Sequence, residues 1–278
     1  MTRIHAIQTG LVRVKHAQME ARGDGLARMA HMLFDGDWSD WLPIYTWLIE
    51  HEEGLILVDA GETARVHARG YLPSWHPFYR RAVNFSVHPE EEIGPQLRAR
   101  GVDAREIRQV VLTHLHTDHA GGLVHLTDSR ILVSEDERKA ADSLSGRLLG
   151  YLPHRWPRWL RPEPVRFAPE PLGPFTESMA LTRSGDVRIV PTPGHSPGHL
   201  SVVVLGEPSY FLAGDVTFSQ KILLDGKVGG VVRDDALAQD TQNRILDLAR
   251  QRPLVYLPSH DPESEARLTQ QDILQPKA

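Results

Sequence analysis

Thr113-His114-Leu115-His116-Thr117-Asp118-His119-Ala120-Gly121-Gly122 carries four ligand-type side chains within six residues. It follows residues 109–112, an apolar run of strong β-propensity. In extended chain, side chains two apart point the same way, so His114 and His116 can grip one ion. Asp118 and His119 follow where the chain turns toward a Gly-flanked loop or helix start. As adjacent residues they diverge, which suits a second ion nearby. The chain has no cysteine, which removes thiolate metal sites, thiolate nucleophiles and disulfides together. Any metal must be held by imidazole and carboxylate, a catalytic rather than structural set for zinc. With 15 histidines a chance His-x-His is unremarkable. The full His-x-His-x-Asp-His at a strand end is not.

Three further candidates stand where an apolar run gives out. His195 lies in Pro193-Gly194-His195-Ser196-Pro197-Gly198-His199 after a strand expected at 186–190. Asp215 follows a strand at 210–213, and His260 follows one at 254–257. Side chains at the ends of several strands can converge on one edge of a sheet. Each alone is weak, since a histidine in a Gly/Pro turn is more often structural; their recurrence makes the set persuasive. His199 and His125 read as supporting or packing residues, and Asp261 as a turn residue.

Outward from these residues, 44–49 and 55–58 form a hairpin across His51-Glu52-Glu53-Gly54, and the second strand ends in Asp59. Residues 89–100 have helical spacing, with Ile93 and Leu97 four apart and Gly101 beyond. A helical turn is expected at 103–106 and a strand at 131–133. Ser134 with Glu137 has the form of a capping box. Residues 201–205 pair with 210–213, and 234–250 form a helix with Ala238, Ile245, Leu246 and Ala249 on its apolar face. Residues 145–175 hold so many prolines that no regular element is expected between 153 and 174, while Trp156, Trp159, Phe167 and Phe175 make it an arm packed on the body. Short strands mixed with helices indicate an α+β chain of layered sheets covered by helices, read as one domain over 1–278.

A formal charge of -5 gives no electrostatic reason to expect nucleic acid or an anionic membrane as partner. No apolar run approaches the ~20 residues of a membrane helix, and the N-terminus lacks the apolar core of a secretory signal. The expectation is a soluble, cytoplasmic protein.

The order His-x-His-x-Asp-His, then His, Asp and His resembles that of the metallo-β-lactamase superfamily, over residues of about 44 to 261. The resemblance implies a four-layer αββα sandwich with metals at one edge. It also implies two divalent ions, zinc first, with iron, cobalt or manganese as alternatives. His114, His116 and His195 would hold one, Asp118, His119 and His260 the other, and Asp215 both. Asp59 matches the superfamily's first motif, where the aspartate braces the metal loop instead of ligating.

Within the superfamily the chain is most similar to the N-acyl homoserine lactonases. The similarity rests on Val14-Lys15-His16-Ala17-Gln18-Met19, Leu42-Pro43-Ile44-Tyr45-Thr46-Trp47, and Val232-Arg233-Asp234 ahead of Thr241. It implies opening of a homoserine lactone ring, hence quorum quenching, by a hydroxide shared between the ions. Asp118 would carry the proton to the leaving oxygen, and a homodimer is expected because dimers are common in that family. Several members place a tyrosine three residues after the bridging aspartate; here stands Phe218, which can pack against substrate but donates no hydrogen bond. Residues 1–43 read as an N-terminal extension able to cover a substrate. Met19 is its first candidate contact, ahead of Met29, Met32, Phe34, Trp38 and Trp41. Two alternatives remain: a dizinc phosphotriesterase or aryl esterase, and a metal-binding sensor without catalysis.

Overall fold

Side chains alternate across a β-strand, and in this chain both faces of most strands are apolar, so each sheet must be covered twice. The computed structural model describes residues 2–277. Seven strands make the first sheet: β1 (Arg3–Val14), β2 (Leu42–His51), β3 (Gly54–Val58), β4 (Val83–Ser86), β5 (Ile107–Val111), β6 (Arg130–Val133) and β7 (Glu163–Pro164), in the order β4-β1-β2-β3-β5-β6-β7. Five make the second: β8 (Met179–Ala180), β9 (Val187–Pro191), β10 (Leu200–Val204), β11 (Ser209–Gly214) and β12 (Leu254–Pro258), in the order β12-β11-β10-β9-β8. The helices are α1 (His16–Met19), α2 (Gly25–Phe34), α3 (Pro77–Arg81), α4 (Ile93–Ala99), α5 (Thr117–Ala120), α6 (Glu135–Asp142), α7 (Leu144–Leu148), α8 (Gln220–Leu224), α9 (Asp235–Gln251) and α10 (Ser264–Gln270).

Three apolar layers fill the spaces between four structural layers. Outside the first sheet, Ile7, Leu48, Leu57, Val110 and Ile131 meet Ile93 and Leu97 of α4 and Ala141 of α6. Between the sheets, Trp47, Ile49, Val58 and Val111 face Ile189, Val202, Leu212 and Leu257. Outside the second, Val203, Phe211 and Tyr256 meet Ile245 and Leu248 of α9. In β10 the alternation is direct: Val202 and Val204 point between the sheets and Val203 toward α9. The architecture is therefore the αββα sandwich.

Strand direction then places every chemically interesting residue at one rim. β3, β5 and β6 run parallel, so Asp59, the loop after Val111 and Ser134 emerge together. β11 and β12 run parallel, with Gly214 opposite Pro258, so Asp215 and His260 emerge side by side.

The hairpin, the 103–106 turn and the α9 helix stand where the sequence puts them, within a residue or two. Asp234 caps α9 by accepting from the Leu237 amide at 3.0 Å. Four expectations need correction. The helix over 89–100 is broken at Glu92, which turns extended (φ -59, ψ 151). Its carboxylate can then accept from Thr63 and Ala64 and meet His125. Ser134 caps α6 through the Asp136 amide, but Glu137 does not close a capping box; its carboxylate is buried inside the molecule. In the Pro-rich arm, Glu163–Pro164 does form a two-residue strand on β6, at the sheet edge where a proline breaks no ladder. The N-terminal segment is no loose extension, because β1 lies inside the first sheet between β4 and β2. Among the described residues no helix is long and apolar enough to cross a membrane.

Ile189 is fully buried between the sheets, whereas Leu144 is 81% exposed. Ile189→Ala is expected to lower unfolding free energy in urea by about 2–5 kcal/mol, and Leu144→Ala by no more than about 0.5 kcal/mol. Equal effects would contradict the two-sheet interface.

Candidate metal centre

Leu115 organises the motif. Its side chain is buried in the outer layer of the first sheet, and its amide donates to the Glu137 carboxylate at 3.0 Å. His114 and His116, on either side of it, turn to the opposite side. His114 Nε2 lies 3.0 Å from His116 Nδ1, and His195 Nε2 lies 3.1 Å from the same atom. Three imidazole nitrogens at that spacing approach the roughly 3.3 Å expected between ligands of a tetrahedral ion bound at ~2.0 Å.

A second group forms beside it. Asp118, His119 and His260 bring one ligand atom each within 4.8 Å of one another. His260 Nε2 lies 3.6 Å from Asp118 Oδ2, and His119 Nε2 lies 3.9 Å from Asp118 Oδ1. Asp215 spans both groups with different oxygens. Its Oδ2 is 3.9 Å from His114 Nε2 and 3.7 Å from His195 Nε2. Its Oδ1 is 3.3 Å from both His119 Nε2 and His260 Nε2. All seven residues singled out in the sequence are brought to this one place.

The donor set fits divalent cations. Among the described residues, His119 Nε2 and Asp215 Oδ1 are buried without a hydrogen-bond partner, a costly state for polar atoms that a cation between them would remedy. Burial pushes His114, His116 and His195 below the ordinary histidine range, toward the neutral, ligating form. Burial acts the same way on His119 and His260, but the carboxylates around them, Asp215 with Asp59 for His119 and Asp215 with Asp118 for His260, together outweigh it and raise both. Burial alone would raise Asp215; the charges of His260 and His119 outweigh it and hold the carboxyl well below the usual range. The buried carboxylate thus demands positive charge beside it, which protons or a metal can supply.

A scaffold of hydrogen bonds aims these ligand atoms. Asp59 adopts a left-handed backbone (φ 64), uncommon outside glycine but tolerated by aspartate. Its Oδ1 accepts from the Thr113 amide at 2.8 Å, and its Oδ2 accepts from the Thr113 hydroxyl at 2.9 Å. Oδ2 also accepts from His119 Nδ1 at 2.8 Å. Because the Thr113 hydroxyl spends its proton on Asp59, it can only accept from His114 Nδ1, 3.1 Å away. His260 Nδ1 donates to the Pro43 carbonyl at 2.8 Å. In all three histidines the engaged Nδ1–H leaves Nε2 free to ligate. His199 Nε2 accepts the Asp215 amide at 3.0 Å. Gly214 (φ 58) permits this, since a Cβ there would stand 2.7 Å from that nitrogen.

Sequence reading missed Glu137. Fully buried, its carboxylate accepts from Leu115 N, Tyr151 OH and Ser196 Oγ, at 3.0, 2.8 and 2.6 Å. It therefore ties the 113–122 loop to the loop bearing His195. Its position three residues after Ser134 masked it as a cap. Asp261 is likewise more than a turn residue, since it pairs with Arg267 and both are buried. His125 is held by Glu92, away from the centre.

Above the centre opens a cavity of about 610 Å³, whose floor includes His116, Asp118, His195, Asp215 and His260. Phe218 lines it, stacked on the His260 ring with centroids 5.6 Å apart. Met19 does not; it packs against the cluster of Val12, Ile44 and Phe218. Met29 and Met32 are the N-terminal methionines in the wall. Phe34 lies under Arg81, and Trp38 and Trp41 lie under Arg13, outside the lining.

Comparison with known proteins agrees with this geometry. An N-acyl homoserine lactonase from Bacillus thuringiensis is 28% identical over 234 residues, 81% of this chain and 83% of that one. A probable metallo-hydrolase from Mycobacterium tuberculosis is 28% identical over 235 residues, covering 78% and 74%. A solved N-acyl homoserine lactone hydrolase, with N-hexanoyl-L-homoserine at its catalytic metal centre, superposes with a TM-score of 0.75 at 22% identity, covering 95% and 94%. The family model of the metallo-beta-lactamase superfamily matches residues 39–260, which span both ligand groups and the strands that carry them, and the chain belongs to that superfamily.

Proposed function

We propose that this chain is a dinuclear metal hydrolase that opens the ring of N-acyl homoserine lactones, a quorum-quenching activity. The observation that carries the reading is Asp215, one oxygen toward His114 and His195 and the other toward His119 and His260, at the floor of a large cavity. Both the lactonase relative and the similar solved structure act on that substrate class. His114, His116 and His195 would hold one ion, Asp118, His119 and His260 the other, and Asp215 both, with zinc the expected metal. Such ions would supply Lewis acidity and make a water molecule nucleophilic at neutral pH.

The chain's own residues do the rest. The cavity leaves room for an ester above that floor. Asp118, half-buried and part of that floor, is placed to take a proton and return it to the alkoxide released when the ring opens. The Phe218 ring packs flat on His260 and can press against the lactone, but it contributes no hydrogen bond to the carbonyl.

Four measurements test the reading. Protein stripped by a chelator is expected to lose lactone hydrolysis and regain it with two equivalents of zinc; full recovery at one equivalent would refute the dinuclear site. On a metal-quantified sample, Asp118→Asn is expected to lower kcat on N-hexanoyl homoserine lactone by about 10²–10⁴-fold; an unchanged kcat removes Asp118 as proton carrier. Phe218→Tyr supplies the absent donor and should raise kcat/KM on the lactone, while unchanged kinetics would discard the idea that a missing hydrogen bond limits turnover. An aryl phosphotriester assayed alongside separates the rival: faster phosphotriester than lactone hydrolysis favours the phosphotriesterase.

A further inference from the structure

Two groups of ligand-type residues share one pocket, but they are not braced alike. His114, His119 and His260 each have the outer nitrogen tied, to Thr113, Asp59 and the Pro43 carbonyl. Among the described residues no such bond reaches the outer nitrogen of His116 or His195. His116 is turned the other way round, its Nδ1 facing His114 Nε2 and His195 Nε2. Two of the three ligands in the first group therefore depend on what holds the chain beside them.

That hold comes from one side chain. Glu137 is fully buried on α6, and each of its carboxylate oxygens accepts twice. Oε1 takes the amide of Leu115, between His114 and His116, and the Tyr151 hydroxyl, at 3.0 and 2.8 Å. The Tyr151 ring lies against that of His116, with centroids 4.8 Å apart and planes inclined by 32°. Oε2 takes the hydroxyl of Ser196, next to His195, at 2.6 Å, and the Gly198 amide at 3.3 Å. Gly198 permits this approach, since a Cβ there would stand 2.2 Å from the Glu137 amide nitrogen. All three ligands of the first group are one step away from the same carboxylate.

The second group hangs elsewhere. Asp59 holds His119 and the Pro43 carbonyl holds His260. The Thr117 hydroxyl, just ahead of Asp118, donates to the buried Glu62 at 3.1 Å. None of these bonds involves Glu137. Asp59 and Asp215 serve both groups; Glu137 serves one.

We propose that Glu137 is a positioning residue that sets how tightly His114, His116 and His195 hold their cation, independently of the group of Asp118, His119 and His260. This rests on the two-ion reading and adds an asymmetry to it. The carboxylate matters because all four bonds run into it. Glutamine keeps its shape but turns an NH2 toward two donors, which displaces either the Leu115 and Tyr151 side or the Ser196 and Gly198 side. Partners that orient metal ligands from behind are worth about 10–100-fold in metal affinity.

The test isolates each group before perturbing it. His260→Ala leaves the three-histidine group complete and the other short of a ligand, and His195→Ala does the reverse. Zinc affinity is read by competition with a chromophoric chelator, with and without Glu137→Gln. In the His260→Ala protein the added substitution is expected to raise the zinc Kd about 10–100-fold. In the His195→Ala protein it should change Kd by less than about twofold, as for independent sites. Ser196→Ala removes a single bond and should give a smaller loss in the His260→Ala protein alone; it replaces Glu137→Gln if that variant does not fold. Equal weakening in both proteins, or none in the first, overturns the assignment while the two-ion reading stands. Failure of both single-site proteins to bind zinc sinks the two-ion reading, and the assignment with it.

Discussion

A buried carboxylate facing four imidazole nitrogens is the constraint on which this structure turns. Asp215 sits below the surface with His114, His119, His195 and His260, all nearly inaccessible, and its charge must be met there by a proton on an imidazole or by a cation. Ionised groups removed from water are destabilising unless opposite charge and hydrogen bonds meet them. In this chain the answer is layered. Asp59, Thr113 and the Pro43 carbonyl occupy the outward nitrogens, leaving the inward ones to share the carboxylate's charge with a cation. Hydrogen bonds that orient the ligands beforehand reduce the share of a metal's binding free energy that must go into ordering them.

That firmness is inherited from the sandwich. The seven ligand-type residues come from the segments after β5, β9, β11 and β12, in two different sheets, and the inter-sheet layer packs one sheet against the other. Residues such as Val111 and Leu257 pack in that layer and begin, within a few positions, the loops that carry His114 and His260. Packing and chemistry are therefore adjacent on the same strands. Glu137 adds a polar tie across the two sheets at the rim, where the apolar layer ends.

The sequence was legible where one local rule governed. The His-x-His-x-Asp-His run and the polar residues at strand ends announced the centre, because ligand chemistry and strand alternation are both short-range patterns. The long strand β1 went unread for a physical reason. It shifts register between Gln8 and Leu11, Gly10 is left-handed there, and the alternation that would have marked a strand is lost. Glu137 was misread because an acidic residue three positions after a serine satisfies a local rule, whereas its true partners at Leu115 and Ser196 are distant in sequence. Met19 was preferred to Met29 and Met32 since nothing in a sequence tells which of three nearby methionines faces a cavity formed by other segments.

The centre and the cavity wall have different origins along the chain, and this bears on how specificity could vary. Every ligand-type residue falls within 39–260, braced by buried hydrogen bonds where a substitution would leave polar atoms unsatisfied. The wall relies on α2, α3 and α7, short and partly exposed helices joined to the body by few directional contacts besides Arg28 with Asp235. Side chains there can change size with little consequence for the sandwich, since exposed positions carry small stability effects. The shape of the mouth can therefore vary while the metal-binding floor stays fixed.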